Sequence, residues 1–482
     1  MSTPSEYIKK LLHSKNKVIN DQLLEEFSND EYFQNKIQTI KDIQNEIMEK
    51  WQIRTHIINF TDKTIRVPNG TQNIPYTHTI NKFLFEEHHV VKYHFEGLDE
   101  LGLTLDKETL TLEGTPKISG NFKLKILFKV EGEPETSEPN EKLIDIVFNP
   151  DPKSLWKNIP SDTEAIFWKE DNKSTSGSLG EKSIIIASNR GRSHQNDGSF
   201  RDDDFAYKHF EENDWSVVAV ADGAGSASFS REGSRVACNE IINYFENEIL
   251  PNKQLELIET KLDEFAETKD EPLLEEARND GKKVLYKAVL HAHTKINSLA
   301  EETFEKHPQL FTKKNANYKS EYFHTTLIVT AIKKIKLGYV FLTFGVGDCP
   351  IGIVNKDKTE ARLLNWLDVG EFGGGTRFLT QPSIFHSQER PMATRFKVHI
   401  ISDFSYLFLM TDGIYDPKFE VEANLEKTER WLEFITDLEG NNEDGIGVDF
   451  GGELSVAETQ LSNWMSFWSK GNHDDRTLAI IY

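Results

Sequence analysis

Six apolar runs between residues 183 and 482 constrain the fold of this chain more than any other feature, because of how they end. They read "SIIIAS", "WSVVAVAD", "TTLIVTAI", "YVFLTFGVGD", "YLFLMTDG" and "TLAIIY". Each is short and rich in β-branched and aromatic residues, which predicts a buried strand. Two of them run straight into Asp-Gly, at Asp222–Gly223 and Asp412–Gly413. A third ends in Gly347–Asp348, and Asp474 and Asp475 stand just before the last. A further acidic group, Asp202, Asp203 and Asp204, precedes "FAY". A carboxylate at the end of a buried strand is costly unless something pairs with it. Few basic residues lie beside these five places. Divalent cations would satisfy them, and hard oxygen ligands suit Mg²⁺ or Mn²⁺. The flanking glycines let the backbone come close, which makes the Gly223 carbonyl a candidate ligand as well.

Helical patterns alternate with these strands. In 233–250, Val236, Ile241, Ile242, Phe245 and Ile249 fall on one face, and 283–299 repeats the spacing. A last helix is expected over 454–469, while the charge-rich stretch 261–283 reads as a solvated helical face. "GAGSAS" (223–228) is no dinucleotide loop, since it lacks the third glycine and Asp222 would repel a pyrophosphate.

The first third of the chain has a different character. Residues 1–55 predict a helical arm with an apolar stripe of Ile37, Ile40, Ile43, Ile47 and Trp51, either packed on its neighbour or a docking surface. Residues 56–150 carry short β-branched runs and tight turns, from "THIINF" to "KLIDIVFNP", and predict a small antiparallel β-sandwich. Residues 151–182 are expected as a linker, with "STSGSLGEK" (174–182) as a flexible joint. The formal net charge of −23 argues against nonspecific binding to nucleic acid or an anionic membrane. Two cysteines build neither a disulfide framework nor a zinc ribbon. The N-terminus lacks a signal-peptide core and no apolar run approaches the ~20 residues of a membrane span, so a cytoplasmic protein is expected.

Two resemblances add to this reading. "GLTLDKETLTLEGTPKISGNFKLKI" (102–126) resembles bacterial Ig-like modules, which implies a spacer or a protein-docking platform. Residues 183–482 resemble the metal-dependent protein phosphatase family, protein phosphatase 2C, in a bacterial branch. The family's motifs occur in order as "RDDDF", "VADGAGS", "HTTLIV", "GVGDC", "LMTDGIYD" and "DDRTLAII". The resemblance implies a multidomain α+β protein whose C-terminal domain is an α-β-β-α sandwich, with the metals at one edge between two antiparallel sheets.

Carried over residue by residue, it implies that Asp222 bridges two Mn²⁺ or Mg²⁺ ions. The Gly223 carbonyl would bind one of them, and Asp412 and Asp474 the other. Asp348 would hold a third, weaker ion. Among Asp202, Asp203 and Asp204, Asp203 is favoured, because Phe205 then falls where the family has its apolar residue. Arg192, or alternatively Arg201, would bind the phosphate. Many family members carry His after the first Asp-Gly, where this chain has Ala224. His194 is then a candidate proton donor, or else a structural hydrogen-bonder. Asp416 could support the site, and Thr477 the loop of Asp474. Cys349 reads as a small buried hydrophobe. The glycines of "GEFGGGT" (370–376) suggest a mobile flap. The implied activity is hydrolysis of phosphoserine and phosphothreonine by attack of a metal-bound water, on a phosphoprotein substrate, with a Ser/Thr kinase as a candidate partner. The alternatives are a pseudophosphatase that senses or scaffolds, and a hydrolase of a phosphorylated small molecule.

Overall fold

The computed structural model describes residues 3–312, 316–368, 375–386 and 391–482. The chain divides into two compact units, Met1–Leu155 and Trp156–Tyr482. No helix among the described residues is long and apolar enough to cross a membrane.

In the first unit, α1 (Pro4–Ser14), α2 (Asp21–Asn29) and α3 (Glu31–Asp62) each begin on a capping side chain: Thr3, Asn20 and Asp30. α3 runs past the expected boundary at 55 and absorbs "THIINF", which the sequence reading had as a strand. Helical spacing wins over β-branching there, because Ile53, Ile57 and Phe60 fall on one face and pack into the core beneath. Of the apolar stripe only Ile37 is buried, while Ile40, Ile43, Ile47 and Trp51 remain exposed.

That core lies under two small sheets. Their strands are β1 (Gly70–Thr71), β2 (Tyr76–Thr79), β3 (Val90–Glu96), β4 (Leu103–Asp106), β5 (Thr111–Gly114), β6 (Gly120–Val130) and β7 (Asn140–Asn149). The sheet orders are β1-β7-β6-β3 and β2-β5-β4. Lys142 of β7 is buried and donates to the carbonyls of Phe60 and Thr61 at 2.9 and 2.8 Å, and also to Lys63. A cation there satisfies the open carbonyls at the end of α3 and ties the helix to the sheet.

The second unit contains β8 (Asn172–Leu179), β9 (Lys182–Asn189), β10 (Asp204–Phe210), β11 (Trp215–Ala221), β12 (Leu327–Ile335), β13 (Gly338–Val346), β14 (Ile351–Asn355), β15 (Ala361–Leu363), β16 (Phe396–Ile401), β17 (Phe404–Met410) and β18 (Arg476–Ile481). They form two antiparallel sheets, β10-β11-β12-β13-β16 and β15-β14-β17-β18-β9-β8. All six apolar runs are strands. "STSGSLGEK" is not the flexible joint expected: most of it lies in β8, paired with β9 from Asn172↔Asn189 to Leu179↔Lys182. Its small polar residues suit an edge strand beneath a helix, since Ser174 and Ser176 donate to Glu458 at 2.7 and 2.8 Å.

Both faces of each sheet are covered, which explains why the runs are apolar throughout rather than alternating. In β11, Val217 and Ala219 face the core beneath α4 (Ser230–Tyr244), α5 (Gln254–Thr268) and α6 (Glu271–Lys306). Val218 and Val220 face the other way, into a core shared with Ile184, Ile186, Leu407, Leu409 and Ala479 of the second sheet. The far side of that sheet is covered by α7 (Asp412–Phe419), α8 (Thr428–Leu438) and α9 (Leu454–Trp464). Burying each such aliphatic side chain contributes roughly 1.5–3 kcal/mol. Antiparallel pairing also decides where the acids go. The C-terminal ends of β11 and β13 share an end of the first sheet with the start of β10. The C-terminal ends of β9 and β17 share an end of the second with the start of β18.

Candidate metal centre

The acid-bearing segments are pinned through their backbones before their side chains matter. The N–H of Asp222 donates to Thr326 Oγ1 at 2.9 Å, and its carbonyl accepts from the Thr326 N–H at 2.8 Å and Thr325 Oγ1 at 2.9 Å. Gly223 forms an isolated antiparallel bridge with Thr325. A Cβ on Gly223 would lie 2.6 Å from the Asp202 carbonyl, and one on Gly413 would overlap the Asp475 carbonyl. The glycines after the two aspartates are therefore where neighbouring acidic segments touch backbone to backbone.

The side chains converge accordingly. Ligand atoms of Asp222, Asp348 and Cys349 lie within 4.8 Å of one another, as do those of His194, Asp474 and Asp475. Burial, and then the carboxylates of Asp412, Asp203, Asp474 and Asp348, push the Asp222 carboxyl far above its ordinary range. Asp412 is pushed up in the same way by burial, Asp474, Asp348 and Asp203. Asp203 rises to about 8 through burial and the nearby Asp475, although Thr411 and Thr477 each donate to its Oδ2 at 2.8 Å. Among the described residues no lysine or arginine forms an ion pair with Asp222, Asp348, Asp412 or Asp474. Among the described residues Asp348 Oδ1 is buried with no hydrogen-bond partner. Mutually repelling carboxylates, with no lysine or arginine among the described residues paired to four of them and with a bare buried oxygen, form an all-oxygen donor set that fits Mg²⁺ or Mn²⁺.

The structure separates the three consecutive acids. Asp204 pairs with Lys169 at 3.1 Å and Lys173 at 2.9 Å. Burial opposes its charge, but Lys169, Arg201 and Lys173 hold it well below the usual carboxylate range. The Asp202 carboxylate lies 3.9 Å from His194 Nε2. Asp203 alone bonds across to Thr411 and Thr477, beside Asp412.

Other expected residues fall elsewhere. Arg201 does not reach a substrate surface: it is 1% exposed, and its Nε and Nη1 donate to the Glu170 carbonyl, Ser188 Oγ and the Asp203 carbonyl. Its task is to anchor the acidic segment from behind. Arg192 donates from Nη2 to the Ser466 carbonyl at 2.7 Å and lies over the Trp468 ring. His194 Nδ1 meets Asp475 Oδ1 at 3.0 Å. Burial disfavours its charge, yet Asp475, Asp202 and Asp474 push it up to about 10, so it stays protonated at neutral pH as a fixed cation. Cys349 is buried and its thiol raised far above normal, as a small packed residue would be. The expected flap falls largely outside the described residues, apart from Gly375 and Thr376.

Sequence reasoning named Asp475 beside Asp474 but gave it no task of its own. It is buried and accepts from the N–H groups of Gly191 and Asp202 and from His194, so it joins the loops that carry Asp203 and Asp474. Sequence reasoning had Thr477 as support for the loop of Asp474, but it missed Thr411 and the carboxylate the two threonines share. Thr411 and Thr477 share Asp203, and Thr477 N donates to Thr411 Oγ1 at 3.0 Å. The signal was present, since a hydroxyl residue directly precedes Asp412 and another follows Asp475 by two.

Comparison with known proteins bears on this site. No curated protein matches the chain. Solved structures similar to it include the serine/threonine phosphatase Stp1 from Staphylococcus aureus, at 12% identity, covering 63% of this chain and 95% of that one, with a TM-score of 0.33. The catalytic domain of the serine threonine protein phosphatase PstP in complex with 2 manganese ions shows 13% identity, coverage of 64% and 95%, and a TM-score of 0.30. A serine-threonine phosphatase 2C from Toxoplasma gondii shows 13% identity, coverage of 64% and 98%, and a TM-score of 0.36. The model of the family described as protein phosphatase 2C matches residues 190–466. That stretch is more than half of the chain and contains Asp203, Asp222, Asp348 and Asp412, so the chain belongs to the protein phosphatase 2C family of metal-dependent protein phosphatases.

Proposed function

We propose that this protein hydrolyses phosphoserine and phosphothreonine monoesters in phosphoproteins. The observation that carries the reading is the meeting of Asp203, Asp222, Asp348, Asp412 and Asp474, with no lysine or arginine among the described residues paired to Asp222, Asp348, Asp412 or Asp474. Asp203, Asp222 with the Gly223 carbonyl, Asp348, Asp412 and Asp474 are the residues that would hold the divalent cations. When bound, Mn²⁺ or Mg²⁺ supplies positive charge for the phosphoryl oxygens and activates water for in-line attack. The chain's own residues do the rest. Thr411 and Thr477 hold the Asp203 carboxylate in one orientation. His194 and Asp475 hold together the loops that carry Asp203 and Asp474. Cys349, buried with a raised thiol, is unsuited to attack phosphorus.

The wider reading goes with it. The second unit has the order of a four-layer α-β-β-α sandwich, with residues 156–182 folded into it rather than linking to it. The two small sheets of the first unit fit an Ig-like module that docks partners. A cytoplasmic site of action and an opposing Ser/Thr kinase complete the proposal. Hydrolysis of an aryl phosphate and a phosphothreonine peptide with Mn²⁺, Mg²⁺ or EDTA, beside Asp222→Ala and Asp412→Ala, tests it. Metal-dependent turnover abolished by both substitutions is expected. Folded protein that binds Mn²⁺ but turns over neither substrate would refute it in favour of a sensing or scaffolding role.

A further inference from the structure

The turn that carries Asp348 is gripped from several sides. Asp368 accepts from the Gly347 N–H at 3.1 Å, and its own N–H donates to the Gly347 carbonyl at 2.8 Å. Arg395 forks onto Asp368, with Nη2 at 3.0 Å from Oδ1 and Nη1 in closer contact with Oδ2. Asn365 Nδ2 donates to the Cys349 carbonyl at 2.9 Å, and its Oδ1 accepts from the Ile351 N–H at 2.7 Å. Asn365, Asp368 and Arg395 are all buried. The backbone from 347 to 351 is thus fixed by side chains that never touch the Asp348 carboxylate.

The carboxylate itself has one described side-chain partner. Thr376 Oγ1 donates to Asp348 Oδ2 at 2.7 Å, while Oδ1 is buried and bare among the described residues. A group with a purely structural task would have both oxygens satisfied, because a buried acceptor without a partner costs about 1–3 kcal/mol. Satisfying one oxygen and leaving the other bare is how an outer partner orients a metal ligand.

We propose that Thr376 is a positioning residue: its hydroxyl fixes the rotation of the Asp348 carboxylate and presents Oδ1 to a divalent cation. The clamp of Asp368, Arg395 and Asn365 keeps the turn from following the ion. This inference rests on the acidic cluster being a divalent-cation site. Removing such an orienting partner lowers metal affinity about 10–100-fold.

The test is Mn²⁺ binding to the full chain without substrate, read by calorimetry and by counting bound ions with electron paramagnetic resonance. Asp348→Asn should lose one site. Thr376→Val should keep the count but weaken that same site about tenfold or more, leaving the others unchanged. Thr376→Ser restores the hydroxyl and should restore the affinity. Arg395→Lys, which loses the fork onto Asp368, should weaken the same site. Thr376→Val binding like the wild type, or weakening every site together, would overturn the inference, as would failure of Thr376→Ser to rescue. If Asp348→Asn loses no site, the cation assignment at Asp348 fails and takes this inference with it. If only Asp348→Asn has an effect, the assignment stands and the role of Thr376 falls.

Discussion

Stripping the cations should make the protein less stable as the pH rises, over a range where most proteins change little. The carboxyls of Asp203, Asp222 and Asp412 are raised above their ordinary values in the metal-free fold, Asp203 to about 8. A carboxyl whose folded pKa lies above its unfolded one binds its proton more tightly in the native state. Its contribution is therefore fully present below pH 4 and is lost as the pH climbs to about 8. His194 acts in the same direction: raised to about 10, it loses stabilisation as the pH rises above 6.5. Asp204 and Asp475, held low, lose theirs only in acid and do not bear on this window. At about 1.4 kcal/mol for each pKa unit, Asp203 alone accounts for about 3 kcal/mol between pH 5.5 and 8. For a unit of this size that is roughly 4 °C in Tm. Thermal melts in EDTA should fall by this much from pH 5.5 to 8, and saturating Mn²⁺ should suppress the fall. Asp203→Asn should flatten the EDTA curve. Parallel pH curves with and without Mn²⁺, or a metal-free protein that gains stability across the window, would refute the electrostatic reading of the cluster.

Three further outcomes follow from the packing. Arg201→Met should cost about 3–5 kcal/mol, since it removes a buried cation beside Asp204; denaturation in urea checks this, and Arg192→Met should cost far less. Gly413→Ala drives a methyl into the Asp475 carbonyl and should cost at least about 1–3 kcal/mol, with Mn²⁺ affinity falling alongside; unchanged calorimetric binding would contradict the backbone contact. Native protein should resist iodoacetamide at Cys349 and Cys238, both buried with raised thiols, and react only after unfolding, as mass spectrometry can show.

What was legible in the sequence was what burial writes locally. The six apolar runs became strands because each is covered on both faces, and β11 shows the two-sided burial residue by residue. The aspartates at their ends were legible because a strand end and a carboxylate seldom meet without reason. What was not legible depended on partners distant in sequence. β8 looked like a linker because its serines are satisfied by Glu458, almost three hundred residues away. The choice among Asp202, Asp203 and Asp204 turned on Lys169 and Lys173 for one and on Thr411 and Thr477 for another. Arg201 looked available for phosphate because nothing in its own neighbourhood announces that it is spent on Glu170 and Ser188.

The place of β18 in its sheet has a consequence for how the molecule assembles. It lies between β17 and β9, so β9, complete by residue 189, waits for a neighbour that begins at residue 476. Closing a loop of that length is slow relative to local pairing. Until it closes, β9 and β17 each present an unpaired apolar edge, which is a template for another chain. The same closure delivers Asp474 and Asp475 to the centre, so the pairing of β18 and the completion of the acidic cluster are one event. Divalent cations available during refolding should then act on yield as well as on stability, by capturing the closed sheet before its open edges find each other.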